Sequence, residues 1–194
     1  MDPRKRALDL ALLLPTLPFF LPLMGAVAAA AWLRQGGPVL FHQPRVGYEG
    51  RTVRVHKIRT MTLEAAAADR SVTPFGRRAR AHGLDELPQL LNVLKGEMSL
   101  VGPRPLSRAD FDRLRADTPA IGERVKQPPG LTGLAQACQA RGPVENARLD
   151  ALYAQRWSPL LDVEILLRTV WINLVGKRRG RWAVAAAEAR LGQA

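Results

Sequence analysis

Asp85 and Glu86 are adjacent carboxylates at the head of the run Leu84-Asp85-Glu86-Leu87-Pro88-Gln89-Leu90-Leu91-Asn92-Val93-Leu94. Leu84, Leu87, Leu91 and Leu94 recur at three- and four-residue intervals, the spacing of one buried helical face. Pro88 has no amide hydrogen and is tolerated in the first turn of a helix, so the pattern predicts a helix beginning around Leu84 to Glu86. The carboxylates then stand beside unpaired backbone N–H groups and the positive end of the helix dipole. Such a pair has two chemical readings. It is a plain acidic cap, or it is a nucleophile and metal ligand next to a helix end that can cradle phosphate.

Cations cluster around this stretch. Arg77, Arg78 and Arg80 arrive just before it and predict an Asp85 that stays ionised at neutral pH and helps to hold an anionic ligand. Lys57 and Arg59, one residue apart, share a face if their strand continues; a solvated strand edge is the plainer reading. Arg104 lies between Pro103 and Pro105, which restrict its backbone and pre-aim its side chain. An exposed arginine in a proline-rich turn is the competing view. With 194 residues, the chain has room for one domain with an adequate core. Its net charge of +12 implies an anionic partner: nucleic acid, anionic lipid or a phosphorylated substrate. No aromatic interleaving or known binding module accompanies the basic residues, which disfavours nucleic acid. The single cysteine, Cys138, excludes an internal disulfide and a Cys-rich zinc site, and His42, His56 and His82 form no metal-binding spacing.

The elements that must carry these residues begin with an apolar run. Leu10 to Leu33 is 24 residues without a charge, roughly 36 Å as a straight helix and enough to cross a bilayer. It is too long for a cleaved signal peptide. A single spanning helix and a re-entrant hairpin remain. Pro15, Pro18 and Pro22 interrupt its middle, and 26 of the 29 Lys and Arg residues follow Leu33. Helix breakers and basic flanks on both sides favour a hairpin with both ends cytoplasmic. Val39-Leu40-Phe41 and Thr52 to Ile58 read as two short strands around a turn at Gly47 to Arg51. Residues 62–73 are Ala-rich and polar, 107–118 read as an exposed charged helix, and Pro128 to Gly133 as a compact loop. Trp157 to Val175 carries three charges in 19 residues. With Trp157, Trp171, Trp182 and Lys177-Arg178-Arg179 it suits an interfacial helix, a buried core helix being the alternative.

These pieces, in this order, resemble the bacterial sugar transferase family, in its small monotopic polyprenol-phosphate phosphoglycosyltransferase form. The likeness runs from Lys5 to about Gly180. It rests on Lys5-Arg6 with Asp9, Gly37-Pro38-Val39-Leu40-Phe41, Gln43 with Arg45-Val46-Gly47, and Lys57-Ile58-Arg59-Thr60-Met61. Further on come Gly76-Arg77, Arg80, Leu84 to Gly102 with Pro103-Arg104-Pro105, Pro129 to Gly133, Gln136, Leu149-Asp150 with Tyr153, and Asp162. Three positions depart from the family pattern. Leu21-Pro22 replaces a Ser-Pro helix break, His82-Gly83 replaces a hydroxyl-bearing pair, and Gln139-Ala140-Arg141 replaces Asn-Gly-Arg with one residue added.

The resemblance implies an α+β, mainly α fold. It comprises a re-entrant membrane helix, a small β-hairpin and amphipathic interfacial helices around a compact catalytic domain. The expected division is an anchor over 1–35, a phosphoglycosyltransferase domain over 36–182 and a tail over 183–194. Asp85 is implied as the nucleophile toward the sugar-proximal phosphate of a UDP-sugar, and Glu86 as its metal-side partner, with both binding Mg²⁺. The candidate substrate-binding set is Lys57, Arg59, Arg80, Arg104, Pro105, Gln136, Arg141 and Asp150. The implied acceptor is a polyprenol phosphate, undecaprenyl phosphate in most bacteria. The implied location is the cytoplasmic face of the inner membrane, with the apolar hairpin free to pack against a second copy as a homodimer. No nucleic acid is expected. The alternative from another class is a membrane-anchored basic protein that binds anionic lipid or nucleic acid.

Overall fold

The computed structural model describes residues 1–63, 70–176 and 182–192. The basic run Lys177-Arg178-Arg179 and residues 64–69 of the Ala-rich stretch lie outside the described residues.

The chain opens with helix α1 (Pro3–Leu13), one 3-10 turn (Leu14–Thr16) and helix α2 (Leu17–Gln35). Pro15 and Pro18 fall in first turns, where a missing N–H leaves no intrahelical bond unmade, and Pro22 lies inside α2. The prolines therefore coincide with one tightened turn between the two helices. Gly36 ends α2 at a φ of 66°, a backbone conformation that favours glycine. Burial along this segment is confined to its ends. Lys5, Asp9 and Leu13 are buried, as are Val27 and Ala31, and nothing from 14 to 26 is.

Both ends dock on the same domain. At the first, the Lys5 ammonium donates to Asp162 Oδ2 at 2.7 Å and to the Tyr153 hydroxyl at 2.8 Å, all three residues being buried. Tyr153 donates to Asp162 Oδ1 at 2.6 Å, and Trp157 Nε1 donates to Asp162 Oδ2 at 3.1 Å. One turn on, Asp9 Oδ1 accepts from the Ser99 hydroxyl and the Leu100 amide. Arg6 donates to the carbonyls of Val93 and Leu94. At the second end, Val27 and Ala31 pack on Ile58, joined by Phe75, Leu84 and Leu87.

Strands β1 (Leu40–Val46) and β2 (Thr52–Ile58) form the expected antiparallel hairpin, with Leu40 opposite Ile58 and Val46 opposite Thr52. β1 runs past the expected Phe41 and through Pro44, which an edge strand tolerates. Helix α3 (Pro74–Ala81) leads to a 3-10 turn at Leu84–Glu86 and then to α4 (Gln89–Lys95). The leucine spacing is thus divided at Pro88 between two short elements. The buried side chains of α4 are Gln89, Asn92 and Val93, with Leu90 and Leu94 beside them. Asn92 is buried because it serves the edge of β2: its amide accepts from His56 N and donates to Arg54 O.

Pro128 to Gly133, read above as a loop, contains a strand. Gly130–Thr132 (β4) pairs in parallel with Ser99–Val101 (β3). The glycines that suggest a turn are there for backbone contact. A Cβ at Gly130 would lie 2.1 Å from Gly102 N, and one at Gly102 would lie 2.2 Å from Pro128 O. The expected charged helix appears as α5 (Arg108–Asp117), capped by Ser107. A 3-10 stretch (Pro119–Lys126) separates it from β4.

Helices α6 (Leu134–Ala137), α7 (Gly142–Arg156), α8 (Pro159–Val175) and α9 (Val184–Gly192) complete the domain. Leu161, Ile165 and Ile172 of α8 join Leu134, Leu149 and Tyr153 in the largest core cluster. The opposite side of α8 exposes Leu160, Leu167, Val170, Trp171 and Leu174. α8 thus combines the two expectations: one face belongs to the core and the other is apolar and uncovered. Of the three tryptophans expected at an interface only Trp171 is exposed, because Trp182 is buried under the Arg168 guanidinium, 3.8 Å from its ring centroid. The stretch from 183, expected as a tail, adds Val184, Ala187 and Leu191 to the core.

Removing one member of a buried ion pair leaves the other charged and desolvated, at a cost of about 3–5 kcal/mol, whereas an apolar replacement of both is close to neutral. Lys5→Ala is therefore expected to lower thermal stability in detergent sharply. The pair Lys5→Met with Asp162→Leu should recover most of the loss, as read by the melting transition.

Candidate active site

The dyad sits at the junction of α3 and α4. Gly83 takes a φ of 68°, which a side chain would resist, and its carbonyl accepts from Glu86 N at 3.1 Å. That backbone turn closes the helix end where the sequence lacks a hydroxyl cap. Asp85 is buried and Glu86 is partly open.

The two carboxylates have different surroundings. Glu86 Oε1 accepts from Lys57 Nζ at 2.9 Å and from Arg104 Nη2 at 2.7 Å. Burial pushes the Glu86 pKa up, but Arg104 and Lys57 outweigh it and hold the carboxyl below its ordinary value. Asp85 has no such partner among the described residues. Burial, and then the charge of Glu86, raise its pKa above the ordinary aspartate value, and the opposing pull of Lys57 and Arg80 is smaller. The nearby cations therefore do not pull the Asp85 pKa below its ordinary value, because desolvation and the Glu86 charge outweigh them. A carboxylate kept from water and without an ion pair is a better nucleophile than a solvated one.

Around the dyad opens a cavity of about 1220 Å³. Lys57, Arg59, Arg80, Arg104, Gln136, Asp85 and Glu86 all line it. Arg80 also donates from Nε to Thr60 Oγ1 at 2.9 Å. Arg59, however, spends its guanidinium on four backbone carbonyls, those of Gln35, Gly36, Pro38 and Met61, and is buried. Its guanidinium is thus engaged at the end of α2, although the residue borders the cavity. Gln136 keeps both amide atoms buried without a hydrogen-bond partner in the cavity wall. Arg141 is exposed at the start of α7 and is not among the lining residues, and the added residue before it takes a φ of 52° at Gln139.

Pro105 and Asp150 act from behind. The carbonyl of Arg104 accepts from Arg124 Nη2 at 2.6 Å, and Arg124 lies 3.0 Å from Asp150 Oδ2, with both side chains buried. Pro103 O accepts from Gly130 N at 3.0 Å. The Pro-Arg-Pro loop is thus braced from the rear, and Asp150 is a support for it rather than a cavity residue. Burial pushes Asp150 up to about 6 against the attraction of Arg124.

Sequence reasoning gave no site role to Gln43, Arg45 and Thr60, which also line the cavity. Phe41, Gln43 and Arg45 alternate along β1, and that period of two was the signal available for them. Nothing local to Arg124 indicates its place behind Arg104.

The description of the bacterial sugar transferase family matches residues 2–176. The chain belongs to the bacterial sugar transferase family. Among its relatives, a UDP-glucose:undecaprenyl-phosphate glucose-1-phosphate transferase of Caulobacter vibrioides is 43% identical, covering 88% of this chain and 69% of the relative. A transferase of the same name from Escherichia coli K12 is 36% identical over 89% of this chain, which spans only 40% of that protein. A UDP-N-acetylgalactosamine-undecaprenyl-phosphate N-acetylgalactosaminephosphotransferase of Aeromonas hydrophila is also 36% identical, over 89% of this chain and 44% of the relative.

Asp150 supplies a pH signature. Its folded pKa lies above the ordinary value, so its contribution to stability is full below about pH 4 and is lost as pH rises through about 6. The difference in unfolding free energy between wild type and Asp150→Asn is expected to change across pH 4 to 6.5 and to be flat above that window. Denaturant titrations at stepped pH measure it.

Proposed function

We propose that this chain transfers a sugar 1-phosphate from a UDP-sugar to undecaprenyl phosphate, by way of a covalent intermediate on Asp85. The observation that carries the reading is the unequal dyad: a buried, unpaired Asp85 beside a Glu86 already matched by Lys57 and Arg104, in a cation-lined cavity. In the first half-reaction an Asp85 carboxylate oxygen attacks the sugar-side phosphorus. The bond to the bridging oxygen breaks and UMP leaves with that oxygen. In the second, a phosphate oxygen of the acceptor attacks the same phosphorus. The acyl phosphate breaks, undecaprenyl-diphosphate-sugar forms and the Asp85 carboxylate is restored. Arg80 and Arg104 receive the diphosphate charge, with Lys57 fixing Glu86.

The donor set suits Mg²⁺. A hard cation takes one or two carboxylates plus phosphate oxygens and water. Asp85 and the second oxygen of Glu86 supply that many, and the described residues contain no larger cluster of metal-ligating side chains. Bound there, the ion would offset repulsion between the carboxylates and the diphosphate. A basic binding protein for lipid or nucleic acid, by contrast, would leave the Glu86–Lys57–Arg104 arrangement without a role.

The apolar segment is read as a re-entrant anchor with the domain on the cytoplasmic face of the inner membrane. Its support is mechanical: Lys5 at one end and Ala31 and Gln35 at the other are bonded to or packed on one polar domain, and the exposed middle carries Phe19 and Leu21. A bilayer cannot separate two ends seated on the same body. The bare face of α8 would lie against lipid.

Purified protein in nanodiscs is expected to release UMP from UDP-glucose or UDP-N-acetylgalactosamine with Mg²⁺. Without acceptor, intact mass should rise by one sugar phosphate, and Asp85→Asn should abolish both signals; turnover with no mass change would sink the covalent step. A cysteine added ahead of Met1 and Arg51→Cys should both resist an impermeant maleimide in intact cells and react after permeabilisation. Labelling of the first alone in intact cells would mean a spanning helix.

A further inference from the structure

Gln35 is the last residue of α2, and it lies outside every motif that pointed to the site. Both polar atoms of its amide are nevertheless engaged between two other segments. Nε2 donates to the carbonyl of Arg59, and Oε1 accepts from the Thr73 hydroxyl at 2.9 Å. The same Thr73 oxygen accepts from Gly76 N at 2.9 Å and so caps α3. Thr73 N donates to Thr60 O at 3.0 Å. Contact between α3 and Thr60 is closer still, since a Cβ at Gly76 would lie 2.2 Å from Thr60 O. Thr60 in turn accepts from Arg80 Nε at 2.9 Å, and Arg80 is in the last turn of α3 and lines the cavity.

We infer that Gln35 is a positioning residue through which the seated membrane anchor aims Arg80 at the donor diphosphate. The inference rests on the transferase reading given above. The path has two links. Gln35 holds Thr73 in its capping rotamer and ties Arg59 to the end of α2. The Thr60–α3 contact then sets the register in which Arg80 reaches Thr60 Oγ1. Without the Gln35 amide, the acceptor left to the Thr73 hydroxyl among the described residues is Thr60 O, at 3.4 Å. That longer bond holds the capping rotamer less firmly.

The test is a double-mutant cycle in nanodiscs on the first half-reaction, using whichever of UDP-glucose and UDP-N-acetylgalactosamine the wild type consumes. Gln35→Ala is expected to lower kcat/KM for UMP release about five-fold, the worth of one hydrogen bond. The loss should appear mainly in KM, with an unchanged melting transition and membrane fraction. In an Arg80→Ala background the same substitution should have no further effect. Additive losses in the double variant, or no loss in the single one, overturn the inference while leaving the transferase reading intact. If Gln35→Ala does not fold, Thr73→Val breaks the same path and carries the same cycle. If the wild type, shown to be folded, releases UMP from neither sugar nor from any member of a broad UDP-sugar panel, the transferase reading itself fails. Hydrogen exchange at Gly76 and Arg77 then decides the coupling: faster exchange in Gln35→Ala sustains it, and unchanged exchange overturns it.

Discussion

The interaction on which the rest depends is the buried bond between Lys5 and Asp162. It joins the first turn of the chain to α8 across 157 positions, with Tyr153 and Trp157 filling the remaining hydrogen bonds. A pair so far from water is stable only when further hydrogen bonds support it, and here Tyr153 of α7 and Trp157 just beyond that helix supply them. Its product is specificity of docking. Greasy contact alone would let α1 slide or rotate on the domain, whereas an ammonium between a carboxylate and a phenol has one seat. Asp9, one turn along, then reaches Ser99 and Leu100 and so touches the start of β3. Through β3 the seat of the anchor is connected to β4 and the Pro-Arg-Pro loop.

The site shows the same economy of support. Its acidic edge is two residues long, and two of the cations near it are held by something else. Arg104 is braced through its own carbonyl by Arg124 and Asp150, and Arg80 leans on Thr60. Glu86 takes two positive partners and leaves Asp85 without one. Two neighbouring side chains of the same type thereby acquire opposite tendencies to hold a proton. Chain position cannot produce that difference, since both lie in one 3-10 turn. Exposure and partners do.

Much of this could be read from residues in order. The anchor, the hairpin, the acidic dyad and the arginine between prolines each carry a local signal: length without charge, alternation, helix spacing, restricted backbone. What escaped was whatever depends on contact between distant segments. Arg59 looks like a ligand-facing cation until Gln35, Gly36 and Pro38, at and just past the end of α2, bring three carbonyls to it. Asp150 looks like a site residue until Arg124 covers it. Pro128 to Gly133 reads as a loop because glycine and proline break local structure, yet β3 supplies a partner that makes it a strand. Trp182 looked interfacial, and a guanidinium from α8 roofed it over. In each case the deciding partner lies many residues away, where no pattern of neighbours records it.

The glycine contact between Gly102 and Gly130 has a consequence for how such a protein can change. The loop that carries Arg104 is located by main chain against main chain, at separations no side chain could enter. The backbone of that loop is therefore set by glycine contacts and by Arg124 behind it, not by the wall of the cavity in front. Gln139, Ala140 and Asn146 line the cavity from other elements. The place of the Arg104 backbone and the make-up of that wall thus rest on different parts of the chain.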